Sequence, residues 1–159
     1  PLLPYLLEEG CRVEHLTGNN DLHKGNNIHH VNLVSIPFSN EIPGLLQHAD
    51  LVISRAGAGA LSEFAVSGLP AILVPYPQSA DKHQEYNAVS IAKRAAALIV
   101  HQKLSQNQNN SLKRALVRLL NSDLNCKEKS FLNIMKKSMS EMAIRNAEKN
   151  LITLFYKLI

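Results

Sequence analysis

The fold is decided by residues 49–88, which read ADLVISRAGAGALSEFAVSGLPAILVPYPQSADKHQEYNA. The stretch opens with residues 51–53, a short run apolar on both faces that predicts a central strand of a parallel sheet. A loop of small residues and a helix follow, and the helix is predicted to end at Gly68 before Pro70. Residues 71–74 then form a second buried strand. This order predicts two parallel strands joined by a crossover helix.

The segments on either side of this stretch continue the alternation of strand and helix. The remaining predicted strands are residues 12–17, 31–36 and 96–100. The remaining predicted helices before residue 105 are one that ends at Gly10 and residues 42–48 and 85–94. Residues 18–27 form a loop rich in glycine and asparagine. The chain is therefore predicted to be an α/β protein with a Rossmann-like open parallel sheet and helices on both faces.

The part of the chain beyond residue 104 differs in character. A polar linker, residues 106–110, leads to three predicted helices at residues 112–120, 131–142 and 147–158. From residue 124 onward seven basic side chains accompany three acidic ones, whereas residues 1–123 carry ten of each. We interpret this excess as a solvated helix face, with an anionic membrane or a nucleic acid as the alternative partner. We divide the chain into a sheet domain, residues 1–104, and C-terminal helices, residues 105–159, that pack on it or on another domain.

Length and composition restrict the class of protein. With 159 residues, 45% of them hydrophobic, the chain suits one globular domain with its own core. No apolar run approaches the ~20 residues that a membrane-spanning helix needs. Cys11 and Cys126 lie far apart and form no metal or redox motif, which favours a reducing cytoplasm. The sequence begins at Pro1 without an initiator Met, and we expect it to be a fragment.

Three segments follow predicted strand ends, where open parallel sheets bind their ligands: residues 37–40, 54–63 and 75–84. The middle segment combines small residues with the start of a helix, whose first N–H groups are unpaired, so a phosphate or ribose oxygen fits there. Glu63 follows, and one carboxylate can accept hydrogen bonds from both hydroxyls of a ribose. The alternatives are tight packing for the small residues and a helix-dipole contact for Glu63.

Polar side chains cluster after the second buried strand, at Asp81, His83, Gln84 and Asn87. Amide and imidazole groups supply the donors and acceptors that sugar hydroxyls need, and an ordinary polar loop with a helix cap is the alternative. His83 and Glu85 resemble half of a metal site, but no further His or Cys lies at ligand spacing.

The first of the three segments contains an aromatic residue and a small polar one. Phe38 can cover the face of a base, while the backbone of Ser39 offers N–H and C=O groups to the edge of the base. A core phenylalanine that closes the sheet is the alternative for Phe38.

Together these motifs resemble the C-terminal, donor-binding domain of glycosyltransferase family 28, a family of GT-B enzymes. The match covers about residues 9–100. It is carried by the Ser62-Glu63 pair, by the Gly68-Leu69-Pro70 turn, and by the run DKHQEYN at residues 81–87.

The resemblance implies a role for each matching position. Phe38 and Ser39 would meet the uracil, and Glu63 would bind the ribose hydroxyls. His83 and Gln84 would contact the hydroxyls of the sugar. The residues whose backbone would line the ribose and diphosphate are Ala58, Gly59, Ala60, Leu61 and Ser62.

The resemblance also implies an activity: inverting transfer of N-acetylglucosamine from UDP-N-acetylglucosamine to undecaprenyl-diphosphate-muramoyl-pentapeptide, from lipid I to lipid II, in peptidoglycan biosynthesis. It implies a peripheral protein on the cytoplasmic face of the bacterial inner membrane, with no metal, other cofactor or nucleic acid. The family's acceptor domain and the first strand of its sheet have no counterpart in these residues. We therefore assign no catalytic residue and expect the fragment alone to be inactive.

Three alternatives remain open. Another family 28 enzyme would make a different glycolipid, for example from UDP-galactose. A non-catalytic module would bind a UDP-sugar and need a partner domain that carries the acceptor. Half of a nucleotide-sugar epimerase would share the fold.

Overall fold

The computed structural model describes residues 2–18, 28–102, 108–125 and 131–158. The strands in those ranges are β1 (Val13–Leu16), β2 (Leu33–Ile36), β3 (Val52–Ser54), β4 (Ala71–Leu73) and β5 (Ala97–Ile99). The α-helices are α1 (Leu2–Glu8), α2 (Ile42–His48), α3 (Ala58–Ser67), α4 (His83–Ala92), α5 (Gln108–Asn125), α6 (Phe131–Glu141) and α7 (Ala147–Leu158). A short 3-10 helix, Ala80–Lys82, precedes α4.

Each predicted element is found, although several ends differ. The largest difference is α5, which has 18 residues and begins at Gln108, inside the stretch predicted as a polar linker. Apolar residues recur at helical spacing from Leu112 to Leu119, and packing of that side extends the helix over polar flanks. The predicted glycine- and asparagine-rich loop lies mostly outside the described residues.

All pairings among the described strands are parallel, which confirms the α/β class. β1 pairs with β2, and β4 lies between β3 and β5. The described strands form these two separate sheets rather than one continuous sheet. The prediction of a parallel α/β fold is confirmed, and the break between the two sheets fits the expectation that the first strand of the family's sheet has no counterpart in these residues.

The core lies on both faces of the three-stranded sheet, because alternate residues of β4 point to opposite sides and all three are fully buried. The first core cluster includes Ala71, Leu73, Phe64, Ala88 and Met139. The second includes Ile72, Val100, Leu116, Leu119 and Met135. Helices α3 and α4 contribute to the first cluster and α5 to the second, while α6 contributes to both.

Gly68 lies between α3 and β4 in a turn that strongly favours glycine. Its φ is 63°, in the left-handed region, and the N–H groups of Gly68 and Leu69 donate to Ala65 and Phe64 to close the helix. A Cβ at this position would overlap the Oγ of Ser140 on α6. The turn therefore sets the direction of the chain from α3 to β4. It also sets how closely α6 approaches this turn.

The last helix, α7, has an exposed apolar side. Residues 147–157 are all exposed, and Phe155 is 71% exposed. The other large apolar side chains on the helix are Leu151, Ile152, Leu154 and Tyr156. Among the described residues, none of the helices has the length and apolar character needed to cross a bilayer.

Candidate functional site

Arg55 holds together the carboxyl edge of the three-stranded sheet. Its Nη1 donates to the carbonyl of Val74 at 3.1 Å and to Oε1 of Gln102 at 2.7 Å. Its guanidinium carbon lies 5.4 Å from the centre of the Tyr76 ring. One side chain thus joins the segments that follow β3, β4 and β5. The sequence reasoning missed this role, although an arginine directly after a buried strand was a visible signal.

The small-residue turn after β3 divides into a packed part and an open part. Ala56 is 0% exposed and belongs to the first core cluster. Gly57 and Gly59, in contrast, have nothing within 4 Å of where a Cβ would stand. Packing therefore explains the small side chain of Ala56 but not the two glycines, which leave free space beside the backbone.

The start of α3 presents unpaired backbone donors to that space. Gly57 caps the helix without a side-chain hydrogen bond, and the N–H of Leu61 donates to the Gly57 carbonyl at 3.0 Å. The N–H groups of residues 58–60 consequently have no partner inside the helix. Together with the helix dipole they favour an anionic or hydroxyl oxygen at this end.

Leu61 and Ser62 are less available than the residues before them. The Leu61 side chain is buried and its N–H is used by the helix. The Ser62 hydroxyl is exposed but donates to the Ala58 carbonyl at 3.0 Å. Leu61 and Ser62 would therefore border a ligand without offering it these donors.

Glu63 is an exposed carboxylate in the second turn of α3. Within the described residues its side chain has no hydrogen bond or ion pair. The helix-dipole alternative is weak, because that effect is confined to the first turn, which contains no acidic residue. Glu63 is free to accept hydrogen bonds from a ligand.

The polar segment after β4 is held in a defined conformation. Asp81 and Lys82 have φ values of 47° and 54°, in the left-handed region that is uncommon for residues with a side chain. His83 Nδ1 lies 2.6 Å from the Ala80 carbonyl. Because a carbonyl only accepts, Nδ1 carries a proton, and Nε2 is not used in this bond.

Two amides of α4 point back to the sheet edge. Gln84 Oε1 accepts the N–H of Tyr76 at 2.9 Å, and Asn87 Nδ2 donates to the Ala56 carbonyl at 3.0 Å. The Asn87 bond joins the polar segment to the small-residue turn, as expected for neighbouring strand ends. Glu85 Oε2 lies 3.4 Å from His101 Nδ1.

Phe38 and Ser39 lie between β2 and α2. Phe38 is 71% exposed, so the alternative of a core phenylalanine is wrong. Ser39 Oγ accepts the N–H of Glu41 at 3.0 Å and orders the entry to α2, which packs against α3. The exposed Phe38 ring is available to a ligand.

An open groove of about 570 Å³ lies elsewhere, along residues 28–35, and is lined by His29, His30 and Ser35 among others. It contains no residue of the three segments at strand ends. His30 Nδ1 accepts the N–H of Asn32, which is an ordinary turn contact.

The fold and the sheet edge define a class: a parallel α/β domain that presents a helix N-terminus, a free carboxylate and oriented amides at its strand ends. The profile of the glycosyltransferase family 28 C-terminal domain matches residues 4–150. The chain belongs to this family.

Two curated relatives that are each 54% identical to this chain have the same name. A UDP-N-acetylglucosamine–N-acetylmuramyl-(pentapeptide) pyrophosphoryl-undecaprenol N-acetylglucosamine transferase of Prochlorococcus marinus strain MIT 9211 is 54% identical over 155 residues, which is 96% of this chain and 42% of that protein. The protein of the same name from strain MIT 9303 is 54% identical over 159 residues, 99% of this chain and 43% of that protein. The chain thus spans less than half the length of these curated relatives.

A solved structure agrees with this family assignment. The crystal structure of Acinetobacter baumannii MurG superposes with a TM-score of 0.67 at 29% identity, over 79% of this chain and 35% of that one. The glycosyltransferase VinC in complex with dTDP has a TM-score of 0.55 at 16% identity, over 88% of this chain and 33% of that one. The latter likeness concerns the fold alone.

Proposed function

We propose that this chain is the donor-binding half of an enzyme that transfers N-acetylglucosamine from UDP-N-acetylglucosamine to a lipid-linked muramoyl-pentapeptide. The observation that carries the proposal is the sheet edge itself, where free helix N–H groups, the free Glu63 carboxylate and the fixed amide of Gln84 belong to adjacent segments. The names of relatives that are 54% identical support the same reaction.

The diphosphate lies against the start of α3. The N–H groups of Ala58, Gly59 and Ala60 donate to its oxygens, and the space beside Gly57 and Gly59 lets it approach the backbone. Leu61 and Ser62 extend the surface that the start of α3 presents to the donor. Glu63, about one and a half turns from the helix start, accepts both ribose hydroxyls.

The sugar and the base occupy the two sides of this helix end. His83 Nε2 hydrogen-bonds to one sugar hydroxyl, and the amide nitrogen of Gln84 donates to another sugar oxygen. The exposed Phe38 ring covers the uracil, and the Ser39 backbone pairs with its edge.

The reaction is an inverting displacement at the anomeric carbon. A base outside this chain's described residues removes the proton of the acceptor hydroxyl, whose oxygen bonds to that carbon as the bond to the diphosphate breaks. Negative charge then grows on the leaving UDP. The N–H groups at the start of α3 stabilise that charge, which is an electrostatic contribution to the rate.

The helical part of the chain also has a role in the proposed enzyme. The sheet domain, residues 1–104, holds the donor, and the helices of residues 105–159 cover it or reach a second domain. The exposed apolar side of α7 packs on that acceptor-binding domain. The assembled enzyme acts at the cytoplasmic face of the inner membrane, where its lipid-linked acceptor is found.

Calorimetric competition between UDP-N-acetylglucosamine and UDP-galactose tests the proposed donor. We expect UDP-N-acetylglucosamine to displace UDP-galactose at equal concentration, and transfer to a lipid-linked muramoyl-pentapeptide to follow in the full-length protein. Preference for UDP-galactose would instead identify a different glycolipid synthase. Tight UDP-sugar binding without transfer in the full-length protein would identify a binding module.

A further inference from the structure

The side chain of Asn87 makes a hydrogen bond that reaches across 31 positions of the sequence. Its Nδ2 donates to the Ala56 carbonyl at 3.0 Å, and Asn87 itself is partly buried on α4. Ala56 is fully buried, so water cannot easily replace this donor. Loss of the bond would leave a buried carbonyl without this partner.

The bond matters because Ala56 directly precedes the glycine that caps α3. The peptide that links Ala56 to Gly57 is planar and trans, so its N–H points opposite to its C=O. A carbonyl held towards Asn87 therefore directs the Gly57 N–H away from α4. Gly57 then caps α3 with φ of −71° and ψ of 140° and without any side-chain hydrogen bond.

Ala56 packs in the core and the Gly57 carbonyl accepts the Leu61 N–H, but the backbone of Gly57 itself restricts the turn little. Gly57 lacks a Cβ, and no neighbouring atom lies within 4 Å of where one would stand, so its backbone has other conformations available. The Asn87 hydrogen bond comes from outside the turn, adds to these contacts and favours one conformation before a ligand arrives. Since α4 also carries His83 and Gln84, the same bond holds the two halves of the candidate site in register.

We propose that Asn87 is a positioning residue that fixes the small-residue turn, and through it the N–H groups at the start of α3, for the diphosphate of the donor. This inference rests on the proposed function and names a role for a side chain that need not touch the ligand. Pre-organisation of this kind improves affinity because the turn is ordered before binding.

The test compares Asn87→Asp and Asn87→Ala in the full-length protein, with UDP and UDP-N-acetylglucosamine as ligands in calorimetric titrations. Asn87→Asp keeps the shape but sets a carboxylate oxygen against the Ala56 carbonyl. We expect both variants to lose about tenfold or more in affinity for both ligands, the size of one lost hydrogen bond. The control is Asn150→Asp on the exposed helix α7, which makes the same chemical change and should bind as the unchanged protein does.

A protonation readout separates positioning from a general loss of stability. At low pH the carboxyl introduced by Asn87→Asp is protonated and can donate to the Ala56 carbonyl again. Relative to the unchanged protein, UDP-N-acetylglucosamine affinity of Asn87→Asp should therefore recover between pH 7.5 and pH 5, roughly across the range in which a partly buried carboxyl titrates. If Asn87→Ala does not fold, Asn87→Asp carries the test alone.

Each remaining outcome has a distinct meaning. Equal affinity of the unchanged protein and Asn87→Asp for both ligands would overturn the positioning role and leave the proposed function intact. A loss confined to UDP-N-acetylglucosamine would mean that Asn87 contacts the sugar directly, which also overturns it. Failure of the unchanged protein to bind either ligand would overturn the proposed function, and this inference with it.

Discussion

The side-chain oxygen of Gln84 accepts the backbone N–H of Tyr76 at 2.9 Å, across the gap between the end of β4 and the start of α4. This bond decides which end of the amide is available. With Oε1 facing a donor, the Nε2 group is left to donate hydrogen bonds outward. Gln84 is therefore a donor towards a ligand, and its orientation is set before any ligand binds.

Replacement of Gln84 by Glu should keep the hydrogen bond from Tyr76 and remove the one that Gln84 donates to the ligand. The carboxylate still accepts the Tyr76 N–H, so the loop keeps its support, but the outward donor is lost. We expect affinity for UDP-N-acetylglucosamine to fall by about tenfold or more and affinity for UDP to change less, as measured by calorimetry.

The matched control for Gln84 is Gln78→Glu. Gln78 Oε1 accepts the Tyr76 hydroxyl at 2.7 Å, so this change also keeps an acceptor and adds the same charge to the same loop. An equal loss in both variants would assign the effect to charge alone and contradict the role given to the Gln84 amide.

Gly59→Ala should weaken donor binding without weakening the fold. Apart from its own helix backbone and chain neighbours, no protein atom lies within 4 Å of the added Cβ, and alanine is favoured over glycine in a helix by up to about 1 kcal/mol. The methyl group would occupy the space assigned to the diphosphate. We expect an unchanged or higher Tm together with a loss of UDP affinity of about tenfold or more.

Gly44→Ala provides the comparison for Gly59. Gly44 also lies in a helix, α2, and a Cβ added there also meets nothing within 4 Å. It should show the same gain in Tm and no loss of UDP affinity. Unchanged UDP binding in Gly59→Ala would show that the open space is not the ligand's.

Gly68→Ala should destabilise the domain for two separable reasons. The left-handed φ of 63° disfavours alanine by about 1–2 kcal/mol, and the new Cβ overlaps the Ser140 Oγ. Chemical denaturation of Gly68→Ala, Ser140→Ala and the double variant measures both effects. Ser140→Ala should relieve the overlap but leave the cost of the left-handed φ, whereas full additivity of the two changes would contradict contact between these residues.

Glu63→Ala should lower affinity for UDP by the equivalent of about 1–3 kcal/mol, because two ribose hydroxyls lose their acceptor. The carboxylate has no partner among the described residues, so the Tm should change little. The control is Glu148→Ala, another exposed carboxylate, on α7. Calorimetry that gives the same UDP affinity for Glu63→Ala and the unchanged protein would refute the ribose role.

Strands and helices could be predicted from the sequence wherever hydrophobic periodicity was strong. The alternation around residues 51–74 predicted β3, α3 and β4, and Gly68 before Pro70 marked the helix end correctly. The pairing of individual strands could not be predicted in the same way. Pairing between strands depends on which edges meet, and the described strands form two parallel sheets.

The candidate site could be predicted as a set of segments but not as a set of contacts. Because the polar segment and the small-residue turn each follow a strand, the sequence predicted that they would meet. The Asn87–Ala56 bond joins them. The orientation of Gln84 depends on the Tyr76 N–H, and the contacts of Arg55 join groups that are far apart in the sequence and meet only in the folded chain. The sequence also could not distinguish Ala56, whose side chain packs in the core, from Gly57 and Gly59, which border open space.

The most direct test of the proposed donor site is a crystal structure of the protein with UDP-N-acetylglucosamine. We predict the ribose within hydrogen-bond distance of the Glu63 carboxylate, the diphosphate at the N–H groups of residues 58–60, and the sugar at His83 and Gln84. Density for the nucleotide in the groove along residues 28–35, or at any place that leaves Glu63 and Gln84 without contact, would contradict it.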